Sequence, residues 1–176
     1  PEKVLMAIRD FYVRTNANPN RGVYPLADAA TTAYENARKM VAEFIGADTD
    51  EIIFTHGTTE SINLVARSFG EMMKKGDRIA LTVMEHHSNV VPWLQLKSRT
   101  GVALDWVEVD GEGQPDLDQL KKVLSNGKTK LVTVTGLSNV LGASPDLQAI
   151  ISLAHAQGSL VCIDAAQMVA HSVIDI

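Results

Sequence analysis

A chain of 176 residues, 45 % hydrophobic and 21 % charged, is long enough to bury one substantial core and too apolar to remain disordered. Its 16 basic and 21 acidic residues leave a net charge of -5 with no basic cluster, which argues against nucleic acid as a partner. The single cysteine, Cys162, excludes an internal disulfide, no apolar run approaches the roughly 20 residues of a membrane span, and residues 1–10 lack a signal-peptide pattern, so a cytoplasmic protein that contacts no membrane is expected.

In chain order, Val4, Leu5, Ile8, Phe11 and Tyr12 recur near the helical period and predict an amphipathic helix at the start. "TNANPNRGVYPL" is dense in turn formers and predicts an irregular loop. Tyr34, Ala37, Met40, Val41, Phe44 and Ile45 then line one side of a long helix that Gly46 closes. From there strands and helices alternate: "EIIFT" as a strand, 59–73 as a helix, "RIALTV" as a strand, 89–99 as a helix and "ALDWVEV" as a strand. The rhythm continues with 116–124 as a helix, "KLVTVTG" as a strand, 147–157 as a helix, "LVCIDA" as a strand and "SVIDI" as a further short strand. Gly76, Gly101 and Gly158 each fall between a helix and the next strand.

This alternation predicts an α/β fold with an open, mostly parallel sheet. The nearly all-apolar strands around 131–134 and 160–163 are suited to central places in the sheet, covered by helices on both faces. Ligand crevices in such sheets lie beyond the carboxyl ends of the strands, and those ends carry unusual residues here. In "FTHGTTE", Gly57 permits close backbone approach, while Thr58 and Thr59 open a helix whose first amides and dipole attract an anion. An ordinary N-cap explains the same residues. No P-loop and no dinucleotide fingerprint occurs, which leaves a simple phosphate monoester as the anion.

"MEHHSN" places two adjacent histidines after the second predicted strand, where His86 is suited to stacking on a flat ring or to proton transfer; adjacent histidines project differently, so no metal site is expected. A solvent-exposed pair is the alternative. "TGLSNVLG" offers Ser138 and Asn139 in a glycine-flanked loop, a composition that turn chemistry also explains. In "CIDAAQ", Asp164 ends an apolar strand and Gln167 follows three residues on. A carboxylate there needs a partner, whether a helix cap, a salt bridge or a protonated ring nitrogen. One ligand satisfies all four ends: phosphate at Thr58 and Thr59, a flat ring against His86, its nitrogen on Asp164, and its oxygen near Gln167 or Asn139.

The strings "RGVY", "GTTESINLVA", "MEHHSNVVPW", "SNVLG" and "DAAQ", in this order, resemble the fold-type I, class V aminotransferase superfamily, and within it the cysteine desulfurase and selenocysteine lyase branch. The likeness runs along essentially the whole chain. It implies a homodimeric enzyme dependent on pyridoxal 5'-phosphate. Such an enzyme removes sulfur from L-cysteine, or selenium from L-selenocysteine, leaves L-alanine and an enzyme-bound persulfide, and passes the sulfur to an acceptor protein for iron-sulfur cluster assembly or other sulfur pathways. By resemblance Thr58 and Thr59 meet the phosphate, His86 stacks on the ring, Asp164 pairs with the ring nitrogen and Gln167 sits by the phenolic oxygen. Asn139 lies near cofactor and substrate carboxylate, and the loop around Arg21 and Gly22 lies near the entrance and a dimer contact.

The departures are also informative. The family's usual opening before Pro1, its Schiff-base lysine and its nucleophilic cysteine have no counterpart in residues 1–176, so the expectation is a partial cofactor-binding large domain that is inactive as an isolated chain. Cys162 belongs to a strand pattern and is expected to be a small core residue, not that nucleophile. His56 stands where the family often has arginine, and Tyr24 where it often has histidine. Alternative readings are an epimerase-like or kynureninase-like enzyme of the same fold, and a non-catalytic fragment or interaction module.

Overall fold

A computed structural model describes residues 1–20 and 22–175, which divide into two compact units, one of 1–54 with the end of the chain from 173 and one of 55–172. In the first, α1 (Glu2–Asp10) runs into a π-helical turn (Phe11–Thr15), and α2 (Pro25–Ile45) follows the loop. The long helix starts earlier than its apolar stripe because Pro25 occupies the first turn, where its missing N–H costs nothing. It stops at Gly46, whose left-handed backbone (φ 75°) receives the C-cap. Gly22 lies in the loop before α2, and Arg21, grouped with it above, lies outside the described residues.

The expected strand "EIIFT" does not form. Glu51 ends a short 3-10 turn, and Ile52 is extended (φ -91°, ψ 122°) but joins no ladder among the described residues. Side chains of α2 hold the segment instead: Arg38 Nη1 donates to the Ile52 carbonyl, and the same guanidinium lies 5.2 Å from the ring centres of Tyr34 and Phe54. Extended propensity is local, whereas a strand needs an edge to pair with. The terminal "SVIDI" likewise forms no strand over 173–175, and Ile176 lies outside the described residues.

The second unit contains four parallel strands, β1 (Arg78–Thr82), β2 (Ala103–Val107), β3 (Thr129–Thr135) and β4 (Leu160–Asp164), in the order β2-β1-β3-β4. The helices are α3 (Thr58–Ser68), α4 (Val91–Thr100), α5 (Leu117–Leu124) and α6 (Leu147–Ala156). Alternation along each strand sorts the core into two layers. Ile79, Leu81 and Leu131 meet Ile62 and Ala66 of α3 and Trp93 and Leu96 of α4 on one face. Ala80, Val132 and Val134 meet Leu120 and Leu124 of α5 and Ile150 and Ala154 of α6 on the other. The expected parallel sheet with helices on both faces is thus the observed one, but β4, expected to be central, lies at the edge of the sheet among the described residues, with Leu160 exposed, because an apolar run records burial and not strand order.

The strand order locates the crevice. From β1 the chain moves outward to β2, and from β3 it moves the opposite way to β4. Crossovers of one hand running in opposite directions lie on opposite faces, as α4 and α6 do, so the loops leaving β1 and β3 diverge. The gap at their carboxyl ends is where such sheets take ligands.

Candidate functional site

A cleft of about 510 Å³ lies at those carboxyl ends. Thr58, Thr59, His86, Asn139, Asp164 and Gln167 all line it, so the tertiary structure brings together every side chain that the sequence singled out for one ligand.

The first wall is the start of α3. Gly57 caps the helix with φ 147° and ψ 172°, a conformation open only to glycine, and its carbonyl accepts from Ser61 N at 3.1 Å. Thr55 Oγ1 and Ser61 Oγ, 2.7 Å apart, brace the turn. The amides of Thr58 and Thr59 belong to the first helical turn and have no carbonyl behind them within the helix. Glu60 reaches back to His56, accepting from its backbone N–H and contacting ring Nδ1, each at 2.6 Å. These bonds from His56, the backbone one first, hold the Glu60 carboxyl below its ordinary range. His56, where arginine is frequent in the resembled family, therefore lines the cleft as an exposed imidazole tied to Glu60.

The turn after β1 forms the second wall. His86 caps a 3-10 turn (His87–Asn89): its Nδ1 accepts from Ser88 N at 3.1 Å and lies 2.8 Å from Ser88 Oγ. With Nδ1 so used, Nε2 is the nitrogen left to carry the proton of a neutral ring. The two histidine rings are 6.2 Å apart and tilted by 53°, and only His86 lines the cleft. The helix expected from Asn89 begins at Val91, with Pro92 in its first turn.

The loop after β3 and the turn after β4 complete the walls. Ser138 is buried and organises its own loop, its Oγ accepting from Val140 N and Leu141 N and its backbone bonding Ala143 and Gly142, while the neighbouring Asn139 is exposed in the cleft. Asp164 is 6 % exposed, and its Oδ1 accepts from Ala166 N at 3.1 Å. Its Oδ2 has no hydrogen-bond donor among the described residues. No group of His, Cys, Asp and Glu among the described residues is arranged to hold a metal ion.

Sequence reasoning missed Ser88, Thr135, Leu137 and Ala166 in the lining, and the role of Glu85 behind it. Glu85 sits between Thr82 and Asn89, accepting from Thr82 Oγ1 at 2.5 Å and Asn89 Nδ2 at 2.7 Å. Burial pushes its carboxyl up, against hydrogen bonding from Thr82, Asn89 and the Thr135 backbone, and the charge of Asp164 adds to the rise. The one available signal was the i, i+4 spacing of Glu85 and Asn89 around the histidines. Cys162 packs against the α3 and α4 layer, and burial raises its thiol, as suits the core residue expected.

The model of the class V aminotransferase family matches residues 1–176, and the chain belongs to that family. Among its relatives, a cysteine desulfurase of Synechococcus elongatus is 44 % identical over 178 residues, covering 100 % of this chain and 28 % of that protein. A probable cysteine desulfurase of Pyrococcus abyssi is 42 % identical over 176 residues, covering 100 % of this chain and 43 % of that one. Among solved structures, the apo structure of a cysteine desulfurase from Thermococcus onnurineus NA1 superposes with a TM-score of 0.94 at 40 % identity, covering 99 % of this chain and 43 % of the other. The chain thus spans less than half the length of these relatives.

Proposed function

We propose that the cleft binds pyridoxal 5'-phosphate and that residues 1–176 are the cofactor-holding portion of a cysteine desulfurase, which takes sulfur from L-cysteine and leaves L-alanine. The carrying observation is the convergence of four chemically different walls on one cleft of about 510 Å³. Family membership and the names of the relatives support the cofactor and the substrate class.

The residues fit that cofactor. Thr58 and Thr59 offer hydroxyls and first-turn amides to a phosphate dianion, and apart from its chain neighbours no described residue comes within 4 Å of where a Cβ on Gly57 would stand. Asp164 presents a carboxylate oxygen without a protein donor, and a protonated ring nitrogen would supply one. The bound cofactor supplies an electron sink for the substrate's breaking bonds. Asp164 holds the proton on the ring nitrogen that makes this sink effective. His86 covers the ring and, with Nδ1 engaged by Ser88, takes or gives a proton at Nε2. Gln167 donates to the ring's oxygen, and Asn139 meets the substrate carboxylate.

By the same resemblance the anchoring lysine and the sulfur-accepting cysteine lie outside residues 1–176, so this segment alone is proposed to bind the cofactor without covalent attachment and without turnover. Titrating pyridoxal 5'-phosphate into the purified protein while following visible absorbance tests the reading. Saturable binding is expected, weakened about tenfold or more by Asp164→Ala, which removes a charged hydrogen-bond partner. Failure to bind, or equal binding by the variant, would refute it. Enzyme-like release of alanine and sulfide from L-cysteine by residues 1–176 alone would refute the proposed inactivity of the segment.

A further inference from the structure

The turn that carries His86 is fastened by a hydrogen-bond chain whose polarity has only one solution. Asn89 is fully buried, and its Oδ1 accepts from Trp93 Nε1 at 3.1 Å and from Thr133 Oγ1 at 2.6 Å. An indole N–H is a donor only, so the amide cannot be flipped, and Nδ2 must point to an acceptor. That acceptor is Glu85 Oε2 at 2.7 Å, while Glu85 Oε1 takes the Thr82 hydroxyl. The backbone N–H of Asn89 closes the turn by donating to the His86 carbonyl at 2.8 Å. One carboxyl and one amide thereby join the end of β1, the middle of β3 and the first turns of α4 to the segment that presents His86.

We propose that Glu85 is a positioning residue that acts through Asn89 to fix the orientation of the His86 imidazole in the cleft that Asp164 also lines. Space filling alone does not require an acceptor here; the donor and acceptor pattern does. A buried amide with one unpaired face would lose the hydrogen bond while still bearing its desolvation cost, and the turn would relax toward water. The raised carboxyl of Glu85 reflects the same burial. The consequence for cofactor affinity rests on the pyridoxal-phosphate reading, whereas the positioning itself does not.

Matched substitutions in the intact protein separate polarity from packing. Glu85→Gln retains an acceptor for Asn89 and turns its amide toward Thr82, whose hydroxyl accepts equally well. Glu85→Ala removes the acceptor. Asn89→Asp sets two carboxylates against each other, and the double variant Glu85→Gln with Asn89→Asp restores a donor facing an acceptor, with the direction of the bond reversed. The first readout is the orientation of the His86 ring by NMR, from the nuclear Overhauser contacts of its ring protons with Ser88 in the cofactor-free protein, and the second is the dissociation constant and absorbance of added pyridoxal 5'-phosphate.

Glu85→Gln and the double variant should retain the wild-type His86 ring orientation, while Glu85→Ala and Asn89→Asp disturb it and weaken cofactor binding about tenfold. An unchanged His86 ring orientation in folded Glu85→Ala, or no recovery in the double variant relative to Asn89→Asp, would overturn the proposal. If Glu85→Ala fails to fold, the Asn89→Asp and double-variant comparison decides alone. If the wild-type protein binds no cofactor, the proposed function fails and the NMR comparison still decides the positioning.

Discussion

Thr135 and Asp164 are register partners on the last rung between β3 and β4, and both line the cleft while remaining 6 % exposed. Side chains paired in register project to the same face of a parallel sheet, so this rung sets a hydroxyl beside a carboxylate at the point where the strands end. An ionised group so enclosed needs compensation, and Ala166 N supplies one hydrogen bond on Oδ1. No buried side-chain oxygen among the described residues is left without a partner, so the rest of the carboxylate is met from the cleft that Asp164 lines.

Gly57 should tolerate no side chain, for a conformational reason. A Cβ there would meet no described residue within 4 Å beyond its chain neighbours, yet φ 147° with ψ 172° is closed to L-residues. Gly57→Ala should lose about 1–3 kcal/mol in urea unfolding and weaken cofactor binding together, because the start of α3 must move.

The stability of the protein should depend on pH through Glu85. Its folded carboxyl titrates above the unfolded one, so between those two values the folded state holds more protons, and stability falls as pH rises through that window. Urea midpoints of the wild type should therefore fall relative to Glu85→Gln as pH climbs above the ordinary carboxylate range. A parallel pair of curves would contradict this.

Cys162 should behave as a core residue. Burial raises its thiol, which lowers the thiolate fraction at neutral pH. Alkylation by iodoacetamide should be slow in the folded protein and fast in urea, with mass spectrometry reading the difference. Rapid alkylation of the native protein would show a reactive thiol instead.

The layer beneath α5 and α6 should be the mechanical base of the sheet. Ile150 is 1 % exposed among Leu120, Leu124, Val132 and Val134. Ile150→Ala should cost about 2–5 kcal/mol in chemical denaturation. Trp93→Phe should cost about 1–3 kcal/mol, since it removes the Nε1 donor to Asn89 and part of a fully buried ring.

The sequence by itself determined the α/β alternation, the two-sided coverage of the strands and the family, because periodicity, glycine C-caps such as Gly46 and Gly101, and quoted strings are local or linear properties. It named Thr58, Thr59, His86, Asn139, Asp164 and Gln167 because each sits in a short motif at the end of an expected strand, although the strand expected before Thr58 does not form. Only the tertiary structure decided that residues 51–55 join no strand ladder among the described residues, that the order is β2-β1-β3-β4, and that a cleft opens between diverging loops. It alone linked Asn89 to Thr133, 44 positions apart, and so exposed Glu85 as the anchor of the His86 turn. The division has a physical cause: helix and turn hydrogen bonds close within a few residues and leave a local imprint, whereas strand pairing and buried side-chain networks join distant residues and leave no linear pattern.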